Sequence, residues 1–197
     1  MGIKIGVLAL QGNVSEHICA FKSALDSCGI SEGSEVFELR QAEDIESCDA
    51  IAIPGGESTT ISRLIDKNGM RIALKNFKGA FFATCAGMVI LASSVDDVRV
   101  NPLGVIDISV GRNAFGRQKD SFEVPVDIKG LNSSFNAVFI RAPVVKSAGE
   151  GVEILANCGD EIVAVKEKKH MAFSFHPEIA GDFRIHKLFL RNSGIIP

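Results

Sequence analysis

A chain of 197 residues with 46% apolar and 23% charged side chains has the balance of a globular protein and the length to bury a sizeable core, so one domain over residues 1–197 is expected. The net charge of −3 supplies no electrostatic footprint for nucleic acid or an anionic membrane, and no apolar window is long enough to span a bilayer. Five widely spaced cysteines without a Cys-x-x-Cys argue against a disulfide framework and a zinc site, and fit a reducing, cytoplasmic setting with neither metal nor cofactor.

The opening run IKIGVLAL breaks at Gln11-Gly12 and reads as a first strand rather than a signal peptide. Asn13 and Glu16 then have capping-box spacing for a helix that carries Ile18, Phe21 and Leu25 on one face and stops at Gly29. SEVFEL and AIAIP predict a second and a third strand, the latter closed by Pro54-Gly55-Gly56. A helix with Ile61, Leu64 and Ile65 at helical spacing follows and ends at Asn68-Gly69. GAFFA predicts a fourth apolar strand, and AGMVILAS a helix directly behind it. Continuous apolar strands separated by helices imply a parallel sheet covered on both faces. The second half changes period. SFEVPVDIK alternates, and NAVFIRAP and VEILANCGDEIVAVKEKKHMAFSF supply strands joined by tight turns, before a last helix in DFRIHKLFLRN. The expected fold is therefore α/β: a doubly wound, mostly parallel, flavodoxin-like sheet with antiparallel additions.

Three places could carry chemistry. In FFATCAGM a buried strand feeds straight into a helix at Cys85, among small residues that let a sharp turn close. That is the layout of a nucleophile elbow, and unpaired N–H groups at a helix start favour a thiolate. Alone, the elbow does not separate a presented nucleophile from a packed core cysteine. A thiolate needs a base and an orienting group, and HPE supplies His176 and Glu178 after an apolar strand. In an extended segment positions i and i+2 share a side, so Glu178 could hold the imidazole; the tripeptide alone reads more readily as a solvated strand end. His17, His170 and His186 look structurally ordinary. In IPGGESTT the strand end exposes backbone N–H groups under little steric cover, which suits an anion or oxyanion and also suits a plain turn.

PGGES, the cysteine elbow and HPE, in that order, resemble the class I (triad) glutamine amidotransferases. GVLALQGNVSEH, PGGESTTISRLI, TCAGMVILA, GRNAFGRQKDSFE, VFIRAP and SFHPE narrow the resemblance, over nearly the whole chain, to the glutaminase subunits of pyridoxal 5'-phosphate synthase. The resemblance implies hydrolysis of L-glutamine to glutamate and ammonia through a thioester on Cys85, with His176 as base and Glu178 as its orienting carboxylate. It further implies glutamine binding at Gly55, Gly56, Glu57, Arg112, Ile140 and Arg141, an oxyanion hole from the backbone N–H groups of Gly56 and Ala86, and a supporting role at the synthase interface for Gln11. The implied partner is a synthase subunit in a large hetero-oligomer that receives the ammonia. Ala83, where the family elbow usually opens with glycine, and Gly111, where an acidic residue often precedes the arginine, depart from the pattern. Glutaminases serving histidine or nucleotide synthesis would share the triad but lack GRNAFGRQ and IRAP; a non-catalytic binding module of the same fold would not need all three triad residues.

Overall fold

Strand and helix alternate through the first half of the chain in the computed structural model, which describes residues 2–111 and 121–197. Strand β1 (Lys4–Leu8) leads to α1 (Val14–Ser27), β2 (Glu35–Leu39), β3 (Ala50–Ile53), α2 (Ser58–Lys67), α3 (Arg71–Asn76), β4 (Ala80–Thr84) and the short α4 (Ala86–Leu91). There follow β5 (Ala92–Val95), β6 (Ile106–Gly111), β7 (Ser121–Val126), β8 (Phe135–Ile140), β9 (Val144–Ala148) and β10 (Val152–Cys158). Strands β11 (Glu161–Glu167) and β12 (His170–Phe173) and helix α5 (Arg184–Asn192) complete the chain.

The main sheet runs β2-β1-β3-β4-β12-β11-β9-β6-β5, with β10 paired to β11. From β2 through β12 every neighbouring pair is parallel. Beyond β12 the pairs to β11, β10, β9 and β6 are antiparallel, and β5 returns parallel to β6. The expected doubly wound sheet with antiparallel additions is thus present, in the flavodoxin-like order 2-1-3-4 extended by a late strand.

Side chains alternate across the parallel strands, and on the central strands β3 and β4 both faces are buried. On β3, Ala50 and Ala52 point into one core with Phe21 and Phe189, while Ile51 and Ile53 point into the other with Ile61, Ile65 and Leu74. On β4, Phe82 joins the first core and Phe81 the second. Helices α1 and α5 therefore cover one face, and α2, α3 and α4 the other, which is why β3 is apolar throughout and β4 up to its last residue, Thr84.

Two expectations need correction. SFEVPVDIK and NAVFIRAP do not extend the main sheet: β7 and β8 pair with each other in a separate two-stranded ribbon. Its inner residues Phe135, Ala137 and Phe139 pack on the first core against Phe175. A ribbon lying on a core and a sheet member have the same period-two pattern, so alternation could not distinguish them. The helix expected through Ser93 stops at Leu91, where Ala92 and Ser93 open β5. No helix among the described residues is long and apolar enough to cross a membrane.

Candidate active site

Cys85 joins β4 to α4 with φ 49° and ψ −110°, a conformation that costs a non-glycine residue about 1–3 kcal/mol. The surrounding structure holds it there. Its N–H donates to the Phe173 carbonyl of β12 at 2.8 Å, and its own carbonyl accepts from Met88 N–H at 3.0 Å. Two residues on, Gly87 lies so close to β3 that an added Cβ would run into the Ile53 carbonyl and crowd the Ala83 methyl. The turn closes with Ala83 fully buried, so this departure from the family pattern is accommodated. Cys85 retains 8% exposure, and its Sγ lies 3.8 Å from the Ile140 carbonyl at the end of β8.

His176 follows β12 and is anchored by its N–H to the Val138 carbonyl at 2.8 Å. The segment beyond it is not extended. Pro177–Ile179 forms one 3-10 turn, and Glu178 reaches the imidazole across it, Oε1 to Nδ1 at 2.7 Å. Burial by itself would lower the His176 pKa, but hydrogen bonding to Cys85 and Glu178, with the nearby carboxylate charge, raises it to about 10. Burial likewise opposes ionisation of Glu178, yet the His17 imidazole facing it and the hydrogen bond and charge of His176 bring it down to about 2. A carboxylate with no exposed side-chain surface is thereby kept ionised against an imidazolium, the arrangement an activated thiolate requires.

The glycine turn after β3 faces this pair. Gly55 approaches so closely that a Cβ there would meet the His176 ring and Cys85 Cβ. Its N–H donates to Thr84 Oγ1 at 3.1 Å, and Glu57 N–H donates to Gln11 Oε1 at 2.8 Å. A cavity of about 280 Å³ is lined by Gln11, Gly55, Gly56, Glu57, Cys85, Ala86, Ile140, Arg141 and His176, together with Asn13, Ser58, Val89 and Pro143. Glu178 is close by through His176 but does not line the cavity. Arg112 lies outside the described residues. Arg141 adopts φ 43°, a second strained non-glycine backbone on the cavity wall. Gly111 ends β6 opposite Val144, and a side chain there would press on that of Lys146.

Three contributors were not evident from the sequence. Asn13 does not cap α1: its Nδ2 donates to Glu178 Oε1 at 3.2 Å, and Glu16 accepts from Ser15 Oγ instead of closing a capping box. Thr84, next to Cys85, supplies the hydroxyl that receives Gly55 N–H. His17, ordinary in the sequence, is fully buried, with Nε2 3.0 Å from Thr84 Oγ1 and 3.6 Å from Glu178 Oε2. The available signal was spacing. Asn13 and His17 stand four apart, and His17 falls on the same buried stripe as Phe21, a polar residue where the apolar pattern calls for a hydrophobe.

Residues 7–194 match the SNO glutamine amidotransferase family. The chain belongs to this family. It is 60% identical, over the full length of both chains, to a protein of Methanosphaerula palustris named pyridoxal 5'-phosphate synthase subunit PdxT. A crystal structure of a glutamine amidotransferase, 45% identical, matches with a TM-score of 0.85 over 96% of this chain and 98% of that one. A crystal structure of a putative GMP synthase subunit from Thermoplasma acidophilum, 14% identical, matches with a TM-score of 0.61 over 98% and 92% of the two chains and shares the fold alone.

Proposed function

We propose that this glutamine amidotransferase is the glutaminase subunit of a pyridoxal 5'-phosphate synthase and hydrolyses L-glutamine at the Cys85–His176–Glu178 triad. The observation that carries the reading is the 2.7 Å bond from a fully buried Glu178 carboxylate to His176, beside a cysteine held on a strained elbow at the cavity. Thiolate Sγ attacks the side-chain amide carbon, and the carbonyl π pair moves onto oxygen. Gly56 N–H and Ala86 N–H receive that oxyanion. The N–H groups on either side of Gly56 are already engaged, by Thr84 and Gln11, and Gly56 N–H has no acceptor among the described residues.

Collapse of the tetrahedral intermediate breaks the C–N bond, and His176 gives its proton to the departing ammonia. Acylation removes the thiolate, one of the groups that hold the imidazolium charged, so His176 becomes a better acid as its proton is needed. The neutral ring then takes a proton from water, whose oxygen attacks the thioester and releases glutamate. Arg112 and Arg141 provide guanidinium groups suited to the substrate α-carboxylate, and Gln11 braces the glycine turn. The 60% identity to a PdxT subunit, against 14% to a nucleotide-synthesis relative, supports pyridoxal phosphate synthesis as the destination of the ammonia.

A synthase subunit is the partner, and because free ammonia would escape or be protonated, turnover should depend on its docking. Glutamine hydrolysis measured with and without the synthase subunit tests this: activity is expected with it and is lost in Cys85→Ser. A glutamine analogue should label Cys85 in the complex. Full turnover by the isolated chain would refute the coupling, and absence of both turnover and label in the complex would favour a binding module.

A further inference from the structure

Glu178 has two oxygens, and the triad uses one. Oε1 accepts from Asn13 Nδ2 and pairs with His176 Nδ1. Among the described residues Oε2 is buried without a hydrogen bond, and the ring nitrogen facing it is His17 Nε2 at 3.6 Å. The same nitrogen lies 3.0 Å from Thr84 Oγ1, which also accepts Gly55 N–H. The His17 ring is wedged edge-on against Phe82 and His186. Among the described residues His17 Nδ1 has no partner.

These contacts assign the proton. Burial lowers the His17 pKa, so the ring is neutral and carries a single N–H. On Nδ1 that N–H would meet no acceptor, and the Nε2 lone pair would face a carboxylate oxygen. On Nε2 it points between Thr84 Oγ1 and Glu178 Oε2, where both can accept. The charged and titratable groups around it are Glu178 and His176 from the 3-10 turn, Glu16 on α1 itself and His186 on α5.

We propose that His17 is a positioning residue of the glutaminase triad: its Nε2–H, delivered from the buried face of α1, steadies the second oxygen of Glu178 and ties it to Thr84, hence to the nucleophile's strand and the Gly55 turn. One imidazole thereby couples three segments that meet only in the folded chain: the turn after β3, the end of β4, and the turn after β12. His17 touches neither substrate nor sulfur and acts by fixing the carboxylate that fixes His176.

This rests on the glutaminase reading above, and the experiment separates the two. Steady-state glutamine hydrolysis is measured in complex with the synthase subunit for the parent, Cys85→Ser, His17→Phe, His17→Gln and His186→Phe. Phenylalanine keeps a ring among the aromatics and removes the donor; glutamine places an amide N–H the same number of bonds from the backbone as Nε2. His17→Phe is expected to lose about 10- to 100-fold in kcat, with KM for glutamine within about threefold, and to show the alkaline limb of its pH–rate profile at lower pH. His17→Gln should recover most of that loss. His186→Phe, in the same aromatic surroundings with no bond to Glu178, should stay within about twofold of the parent. A His17→Phe enzyme within about twofold of the parent overturns the proposal, as does a loss confined to KM or one that His17→Gln does not relieve at unchanged melting temperature. Should His17→Phe fail to fold, His17→Leu, a smaller apolar side chain that also lacks the donor, carries the same outcomes. A parent complex that hydrolyses no glutamine overturns both readings, whereas a working parent with an unaffected His17→Phe overturns only this one.

Discussion

Replacing Glu178 by Gln keeps the side chain's length and one accepting oxygen, turned towards Asn13 and His176, but puts a donor NH2 where the second oxygen faced His17 and removes the charge that holds His176 protonated. The raised pKa of His176, near 10, depends on that carboxylate as well as on Cys85, and the lowered pKa of Glu178, near 2, shows the coupling from the other side. Glu178→Gln is therefore expected to cut kcat by up to about 10⁴-fold, the loss seen when an orienting carboxylate is replaced by its amide. KM should move little, because Glu178 does not line the cavity. Steady-state kinetics beside a melting curve check this, since folded protein with lost kcat is the expected pair of results. Asn13 illustrates the same priority: its amide serves Glu178 rather than the start of α1, and that helix begins without a side-chain cap.

At the scale of elements, the site is an outcome of how closely α4 and β3 approach. Helix α4 has six residues, all buried, and it starts at the strained Cys85. Its position is set by Gly87 against the Ile53 carbonyl, a backbone atom with no rotamer to give way. Gly87→Ala is expected to cost about 1–3 kcal/mol of stability through overpacking. It should also displace the elbow, which a fall in the rate of Cys85 alkylation at constant pH would report alongside the drop in melting temperature. An unchanged melting temperature and alkylation rate would mean that α4 can slide away from β3. The β7–β8 ribbon acts from the opposite side, since its last residue, Ile140, presents the carbonyl that faces Sγ.

For the whole molecule, four histidines set the response to pH, and they do not act in one direction. Three of them, His17, His170 and His186, are held by burial below their ordinary value of 6.5, with His170 near 4 and His186 near 3. Below about pH 6.5 the unfolded chain binds protons at these sites that the folded chain refuses, so stability falls with pH. Glu178 adds a loss as pH drops from about 4.5 towards about 2, because its folded pKa lies below its unfolded one. His176 runs the other way. Its contribution is complete below 6.5 and drains away as pH rises through about 10. Melting temperature should therefore peak near neutral pH, about 6.5 to 7.5, with the steeper limb on the acid side. Both ring nitrogens of His186 are buried without a partner among the described residues, in contact with Phe21 and Phe82. His186→Phe should flatten the acid limb and leave the alkaline limb in place. An acid limb as steep as the parent's would show that His186 is not held neutral.

The chain's local patterns determined the alternation of apolar strands with helices, hence the doubly wound sheet, and the motif residues determined the elbow, the HPE segment and the glycine turn. These were legible because each is written within a few consecutive positions: small residues around Cys85, two glycines after a strand, a proline between His176 and Glu178. Tertiary structure decided the rest. Whether Cys85 was a packed thiol or a presented one depended on His176, 91 residues away, reaching it through the parallel pairing of β4 with β12. Whether β7 and β8 joined the sheet or lay on it depended on which surface buried Phe135 and Phe139, and period two is the same in either place. The roles of Asn13 and His17 depended on where α1 docked. A polar side chain on a helix reads as a cap or a stray until the fold puts a buried carboxylate opposite it, and then removing that carboxylate's neighbours becomes costly.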